Sequence, residues 1–255
     1  LGTQLPSGFG GVAAGASVSH AIHREWWLLG NLAYAGKFNF DHSEFSTGTV
    51  DLSAGLRWNR GPNALIALAQ GQSFNVDNTQ YRRSFGGTAQ WLHNLGPRQQ
   101  LTVYGQFATL RYPDQAPRDA NRAIGGLAYS QAFEGPYLPV AFISGYAGEE
   151  RDVNDAFKYL GFTPAGVRLG GQLTLHPTVV GFGAFGYEHR TYRGTEPLFL
   201  TTRRDNQYDL TVGLNYVFTP KWTLRPQVAY TRVVSNIELN TYDRTVASVA
   251  LRRDF

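Results

Sequence analysis

The 255-residue chain contains no cysteine and no methionine. A disulfide scaffold, a cysteine-based zinc site and a thiol nucleophile are therefore excluded. A chain without methionine that begins at Leu1 is expected to be a processed or excised piece, its leader already removed. Long apolar runs are also lacking. A membrane-spanning helix needs about 20 consecutive apolar residues. The longest uncharged stretch near that size, Leu169 to Tyr187, is interrupted by glycines, His176 and Pro177. It reads as two strands around a turn. Charge of one sign is scarce: 23 basic and 19 acidic residues leave a net charge of +4. That balance excludes a basic nucleic-acid-binding chain, and no nucleic-acid partner is expected.

What is present is an ordered, strand-rich composition. Apolar residues make up 42% and aromatics 14%, too many for a disordered chain. Glycine, at 29 residues, is enriched over roughly 7% on average. Strict alternation is the dominant local pattern, and it marks strands with two chemically different faces. In Gln207 to Phe218, Tyr208, Leu210, Val212, Leu214, Tyr216 and Phe218 oppose Asp209, Thr211, Gly213 and Asn215. In Val50 to Asn59, Val50, Leu52, Ala54, Leu56 and Trp58 oppose Asp51, Ser53, Gly55, Arg57 and Asn59. The same logic runs through Val167 to Leu175 and Trp222 to Tyr230.

Alternation alone does not say which face is inside. Three further features point to an outer-membrane barrel. Aromatics fall at strand ends (Trp26, Trp27, Phe38, Trp58, Phe85, Trp91, Tyr208, Phe218, Trp222 and Tyr230), as interface girdles do. Connections alternate in length. Short turns at 23–25, 61–63, 96–98, 176–177 and 219–221 interleave with longer loops near 39–45, 77–81, 113–121, 150–162, 193–204 and 235–241. Finally, the chain ends on Phe255 after an alternating segment, like the C-terminal signature of bacterial outer-membrane barrels. The barrel assembly machinery is then an expected partner. Arg253 departs from that signature.

The expected fold is all-β, a transmembrane antiparallel β-barrel of the bacterial outer membrane, in one domain over 1–255. Strands are predicted at 9–22, 26–38, 46–60, 64–76, 81–94, 99–112, 121–133, 138–149, 164–175, 178–192, 204–218, 221–234 and 241–255. Each is long enough for the roughly 9–11 residues that cross a bilayer. Thirteen is odd where such barrels are even, so fourteen strands are expected, the last supplied upstream or merged with another.

Arginine dominates the basic residues, twenty against three lysines. Its planar fork suits carboxylates and phosphates. Many arginines fall near the predicted loop ends, including Arg118, Arg122 and Arg151. Of these, Arg82, Arg83, Arg190, Arg193, Arg203 and Arg204 are candidates for contact with lipopolysaccharide phosphates; the plainer reading is solvated charge paired with Asp and Glu. Within strands, Asp51, Arg57, Arg168, Asp209, Arg225 and Arg252 are expected to face the lumen, since charge on a lipid face costs about 2–4 kcal/mol near the midplane. They form either a structural polar network or a lining that guides a passenger. The histidines make no HExxH or closely spaced metal pair, and no GxSxG, Walker or dinucleotide fingerprint occurs. His42-Ser43-Glu44 holds catalytic residue types, but adjacency is not a triad. No enzyme, metal or cofactor is expected. Glycine pairs at 10–11, 86–87, 125–126 and 170–171 read as bends or close backbone approaches.

Two stretches carry a family resemblance: Tyr81 to Trp91, YRRSFGGTAQW, and Trp222 to Phe255, with WTLRP, Ser235-Asn236, Thr241-Tyr242-Asp243-Arg244 and the ending LRRDF. They resemble the C-terminal barrel of surface lipoprotein assembly modulators (Slam), outer-membrane proteins of Gram-negative bacteria. The resemblance implies a barrel of about fourteen strands that moves lipoproteins or secreted haem-binding proteins to the cell surface, with a lipoprotein client. It implies no catalytic residues. Slam members usually carry periplasmic tetratricopeptide repeats, and none occurs in this sequence. The alternative is a porin or polysaccharide-export channel, whose lining of Arg, Asp and Gln would look the same.

Overall fold

The computed structural model describes residues 7–254, so Phe255 lies outside the described residues. Among these, thirteen strands form one antiparallel sheet in sequential order: β1 (Phe9–Ala21), β2 (Trp26–Asn39), β3 (Thr47–Arg60), β4 (Asn63–Val76), β5 (Thr79–Gly96), β6 (Gln99–Arg111), β7 (Ala120–Ala132), β8 (Val140–Asp152), β9 (Phe162–His176), β10 (Val179–Glu196), β11 (Thr201–Thr219), β12 (Trp222–Ser235) and β13 (Tyr242–Arg253). The expected fourteenth strand is not among them. Each pair of neighbours follows a short connection, as a meander of hairpins requires.

Turn chemistry fixes the ends. Gly61, with φ +56°, supplies the left-handed backbone of the β3–β4 turn. Pro97, Pro177 and Pro220 sit in the two-residue turns after β5, β9 and β11, where no ladder needs their missing N–H. At the opposite strand ends, four connections carry a short 3-10 turn (Ser43–Phe45, Ala116–Arg118, Asp155–Phe157, Glu238–Asn240). The alternation of connection length holds in part: the β7–β8 connection on the short-turn side runs over residues 133–139, and two expected loops are corrected. The segment 77–81, expected as a loop, is a tight hairpin turn: Asp77 and Asn78 take φ +49° and +58°, the two left-handed positions of a primed turn. The expected loop 193–204 shrinks to residues 197–200, because β10 and β11 extend through Glu196 and back from Thr201. Arg193, Arg203 and Arg204 are thus strand residues.

The sheet has almost no hydrophobic core. The buried apolar residues among those described are Ala64, Leu110, Tyr112, Ala120, Val233 and Ile237. The long apolar faces read from the sequence are exposed: Leu210 is 47%, Val212 55% and Leu52 58% accessible. A water-soluble sheet would bury such a face, since about 25 cal/mol is gained per Å² removed from water. An apolar face left open across most strands belongs in an apolar solvent.

The chain divides into two compact units. One comprises Leu1–Leu92, Tyr104–Gly125 and Gly148–Gly161; the other comprises His93–Val103, Gly126–Ala147 and Phe162–Phe255. Strands β5–β8 contribute residues to both.

Candidate functional site

The face opposite the exposed apolar one is polar in both units. Register fixes which residues share it. In the first unit, Asp51 pairs with Gln72 and Ala33, and Ser53 with Gln70 and Asn31. Gln72 Nε2 donates to Asp51 Oδ1 at 2.7 Å, and Arg82 Nη2 donates to Gln72 Oε1 at 2.8 Å. Gln70 Oε1 accepts from Thr88 Oγ1 at 2.8 Å and Gln106 Nε2 at 3.2 Å. These amides border a polar cavity of about 260 Å³. Arg57 Nε donates to Asn59 Oδ1 at 2.7 Å. Toward the loop ends, Leu110, Tyr112 and Ala120 form a small buried cluster with Tyr81 and Ala108. Tyr81 meets Tyr112 edge-on at 5.6 Å, and Arg118 lies over the Tyr112 ring at 5.4 Å. Arg122 Nε donates to Glu150 Oε2 at 2.7 Å beside it.

In the second unit the polar face carries charge. Gln207 Nε2 and Thr231 Oγ1 donate to Asp209 at 2.8 and 2.7 Å. Glu188 accepts from the Tyr146 hydroxyl and from Arg190. Asp205, only 2% exposed, is held by Arg203 Nη2 at 2.7 Å and Tyr192 Oη at 3.3 Å. A buried carboxylate needs such partners, because desolvation alone would expel its charge. Farther along the strands the cations are less engaged. Arg225 lies over the Phe182 ring at 4.4 Å. Arg252 Nε donates to Asp254 Oδ1 at 2.8 Å. The Arg168 guanidinium has no hydrogen bond or ion pair among the described residues; only its backbone carbonyl accepts, from Ser144 Oγ at 3.4 Å.

Asp51, Arg57, Arg168, Asp209, Arg225 and Arg252 all lie on this polar face, by alternation and register. The six arginines considered for lipopolysaccharide divide. Arg82, Arg190 and Arg203 are turned to polar-face partners, Gln72, Glu188 and Asp205. These three guanidiniums are therefore already engaged on the polar face. Arg83, Arg193 and Arg204 are exposed, with side chains that hold no partner among the described residues.

Several residues on the face were not singled out from sequence: Tyr146, Glu188, Asp205, Gln70, Gln72 and Gln106. Alternation from Asp209 reaches Asp205 and Gln207 directly, so parity was the available signal there. Tyr146 and Glu188 lie 42 positions apart, and only register joins them.

Among the aromatics, Trp26 and Trp58 pair across β2–β3 with centroids 6.5 Å apart, and Trp91 Nε1 donates to Asn63 Oδ1 at 3.0 Å. Trp27 departs from the expected girdle: it pairs with Arg57 and shares the polar face. Arg253, out of pattern in the sequence, stacks over Trp222 at 5.4 Å. Several glycines record close approach, Gly170 and Gly171 among them, whose added Cβ would stand 2.6 and 2.4 Å from the Gly183 and Val140 carbonyl oxygens. A Cβ on Gly86 would stand 1.9 Å from the Phe107 carbonyl oxygen, and one on Gly166 would stand 2.6 Å from the Tyr146 ring. Gly10, Gly11 and Gly125, read in sequence as the same kind of position, meet only ordinary contacts.

His42 Nδ1 lies 3.2 Å from Glu44 Oε1, a surface pair that no nucleophile joins among the described residues. No cluster of three His, Cys, Asp or Glu suited to a metal occurs among the described residues.

Comparisons with known proteins agree with this two-faced sheet. Residues 161–255 match the family model described as "Putative beta-barrel porin 2". No curated protein matches the chain. Among solved structures, OmpTdeltaL8, a loop L8 deletion mutant of the outer membrane protein OmpT of Vibrio cholerae, is similar with a TM-score of 0.51. The two share 7% identity over 96% of this chain and 97% of that one, a likeness of fold alone. With its exposed apolar face and hydrogen-bonded polar face, the chain is a porin-like antiparallel β-barrel of the outer-membrane kind.

Proposed function

We propose that the chain conducts small polar solutes across the outer membrane of a Gram-negative bacterium, without chemistry of its own. One observation carries this reading: in each unit the polar face is lined by amides, carboxylates and arginines, while the apolar face is the exposed one. A lining of that kind supports water and solute, and its pairs set the field a solute meets. The test is single-channel conductance of the purified barrel in a planar bilayer. Steady ohmic steps support the channel. Absence of conductance in correctly inserted protein overturns it.

A second reading, translocation of lipoproteins or secreted haem-binding proteins in the Slam manner, rests on the resemblance of Tyr81 to Trp91 and of Trp222 to the C-terminus. It predicts a barrel closed to ions until a client engages it. A silent bilayer, together with surface display of a lipoprotein that depends on this chain, would favour it over the channel.

On the outer surface, Arg83, Arg193 and Arg204 are proposed to meet lipopolysaccharide phosphates, through the bidentate geometry that arginine offers. Replacing all three with Gln is expected to lower co-purified lipopolysaccharide. Unchanged retention would remove the proposal.

A further inference from the structure

The second unit holds a polar niche of about 340 Å³ in its lining. Its geometry follows from register. Arg168 on β9, Gly186 on β10 and Asp209 on β11 are cross-strand neighbours, one beside the next. Strand spacing of about 4.8 Å puts the outer two α-carbons about 10 Å apart. Gly186 has no side chain, so the floor between the two charges is bare backbone. Ala184 and Thr211 pair at the next polar-face position along, and Glu188 lies on the other side of Gly186. The Tyr146 ring lies against Gly166 and gives its hydroxyl to Glu188.

The chemistry of the niche is lopsided. Its carboxylates are already engaged, Asp209 by Gln207 and Thr231 and Glu188 by Tyr146 and Arg190. Each carboxylate offers about four lone-pair sites, so each still has room for a hydroxyl donor. The Arg168 guanidinium brings five donors and has no partner among the described residues. What the niche lacks is therefore one planar anion for Arg168 and hydroxyl donors for the wall opposite. A simple anion supplies only the first, and a neutral sugar only the second. A dianionic phosphate is disfavoured, since Asp209 and Glu188 stand across a gap from it and like charges at that range repel.

We infer that this niche binds a hydroxylated monocarboxylate, a solute of the sugar-acid or hydroxy-acid class, with its carboxylate on Arg168 and its hydroxyls toward Asp209 and Glu188. The size fits: small-ligand pockets begin at about 300 Å³, enough for one monosaccharide-sized solute rather than a chain. The Tyr146 ring offers a flat wall beside it. The inference rests on the channel reading for the solute's route to the niche.

The test uses the full chain, with D-glucuronate as probe and D-glucose, acetate and glucose 6-phosphate as comparisons. Binding is measured by calorimetry on detergent-solubilised protein, and separately as reduction of KCl current in a planar bilayer. Glucuronate is expected to bind at least about tenfold more tightly than glucose or acetate, the scale of one charge-assisted hydrogen bond. Arg168→Gln is expected to lose about tenfold or more of glucuronate affinity on the same ground. Gly186→Leu is a second probe that leaves Arg168 in place. A Cβ there meets nothing nearer than Asp209 Cβ at 3.7 Å, so the backbone admits it while the side chain fills the niche. It is expected to abolish binding. Equal affinity for acetate would overturn the hydroxyl half, equal affinity for glucose the anionic half, and tighter glucose 6-phosphate the carboxylate. Conductance without glucuronate binding would sink the niche and leave the channel standing. Binding without conductance would support the niche and sink the channel.

Discussion

In the unit that carries β1–β4, the polar face is held mostly by amides: Gln72 links Arg82 to Asp51, and Gln70 accepts from Thr88 and Gln106. In the unit that carries β9–β13, the same work falls to Glu188, Arg190, Arg203, Asp205 and Asp209. Amides satisfy one another as donors and acceptors at once, so an amide lining is complete in itself. Charges must find opposite charges, and where the count is uneven one is left over. Arg168 is one such remainder, and Arg225, which meets the Phe182 ring and no carboxylate among the described residues, is another. A neutral lining holds shape, while a charged lining holds shape where it is paired and offers recognition where it is not.

The sharpest way to break the comparison lies in two glycines. Gly86→Ala would drive a methyl group into the Phe107 carbonyl, 1.9 Å from the new atom. Loss of folded barrel is expected, a cost above about 4 kcal/mol, read by the heat-induced mobility shift on gels. Gly186→Ala, in the charged unit, has its nearest contact at 3.7 Å and should fold normally. Failure of both variants would show that either wall is equally tight.

Next come the pairs themselves. Arg203→Ala leaves Asp205 buried without its cation and should destabilise by about 3–5 kcal/mol in denaturant unfolding from detergent. Gln72→Ala removes one amide from Asp51, which is partly exposed, and should cost only about 1 kcal/mol. Similar losses for the two would erase the distinction between paired charge and chained amide.

Selectivity gives a finer measure. Arg225→Gln removes a lining cation and should lower the anion-to-cation permeability ratio by about fourfold, since a unit charge some 10 Å away in water is worth about 0.4 kcal/mol of opposite sign to an anion and a cation. Gln106→Leu, in the amide lining, should leave the reversal potential in a KCl gradient where it was. In stability, the smallest effect belongs to Arg253→Gln, which removes the stack on Trp222 and should cost about 0.5–1 kcal/mol of unfolding free energy.

Much of this was legible in the sequence because alternation is a local signal. The limits of β1, β6 and β12 fall within a residue or so of those read from polarity alone, and the face of Asp209 follows from its neighbours Tyr208 and Leu210. The errors arose where local signals conflict with pairing. Arg193 and Arg203 looked like loop charge, yet β10 and β11 pair beyond a bulge between Thr191 and Thr195 and carry them into the sheet. Asp77-Asn78 looked like the start of a loop, yet both residues tolerate a left-handed backbone and close a two-residue turn. Arg82 and Arg83 are adjacent and identical in type, and only the neighbouring Gln72 distinguishes them. The niche at Arg168 was beyond reach because its defining feature, a missing side chain at Gly186 beside it, is a fact of register.

Gly86 has a consequence for how such a barrel changes over generations. Where the Phe107 carbonyl occupies the space of a side chain, the wall is main chain, and main chain is the same whatever the gene spells. A codon held to glycine cannot add or remove charge, so that stretch of wall is closed to adaptation. Gly186, where a Cβ would meet only an ordinary contact at 3.7 Å, is under no such restraint. Descendants of this barrel would therefore keep the wall unaltered at positions such as Gly86 and acquire new solutes at positions such as Gly186.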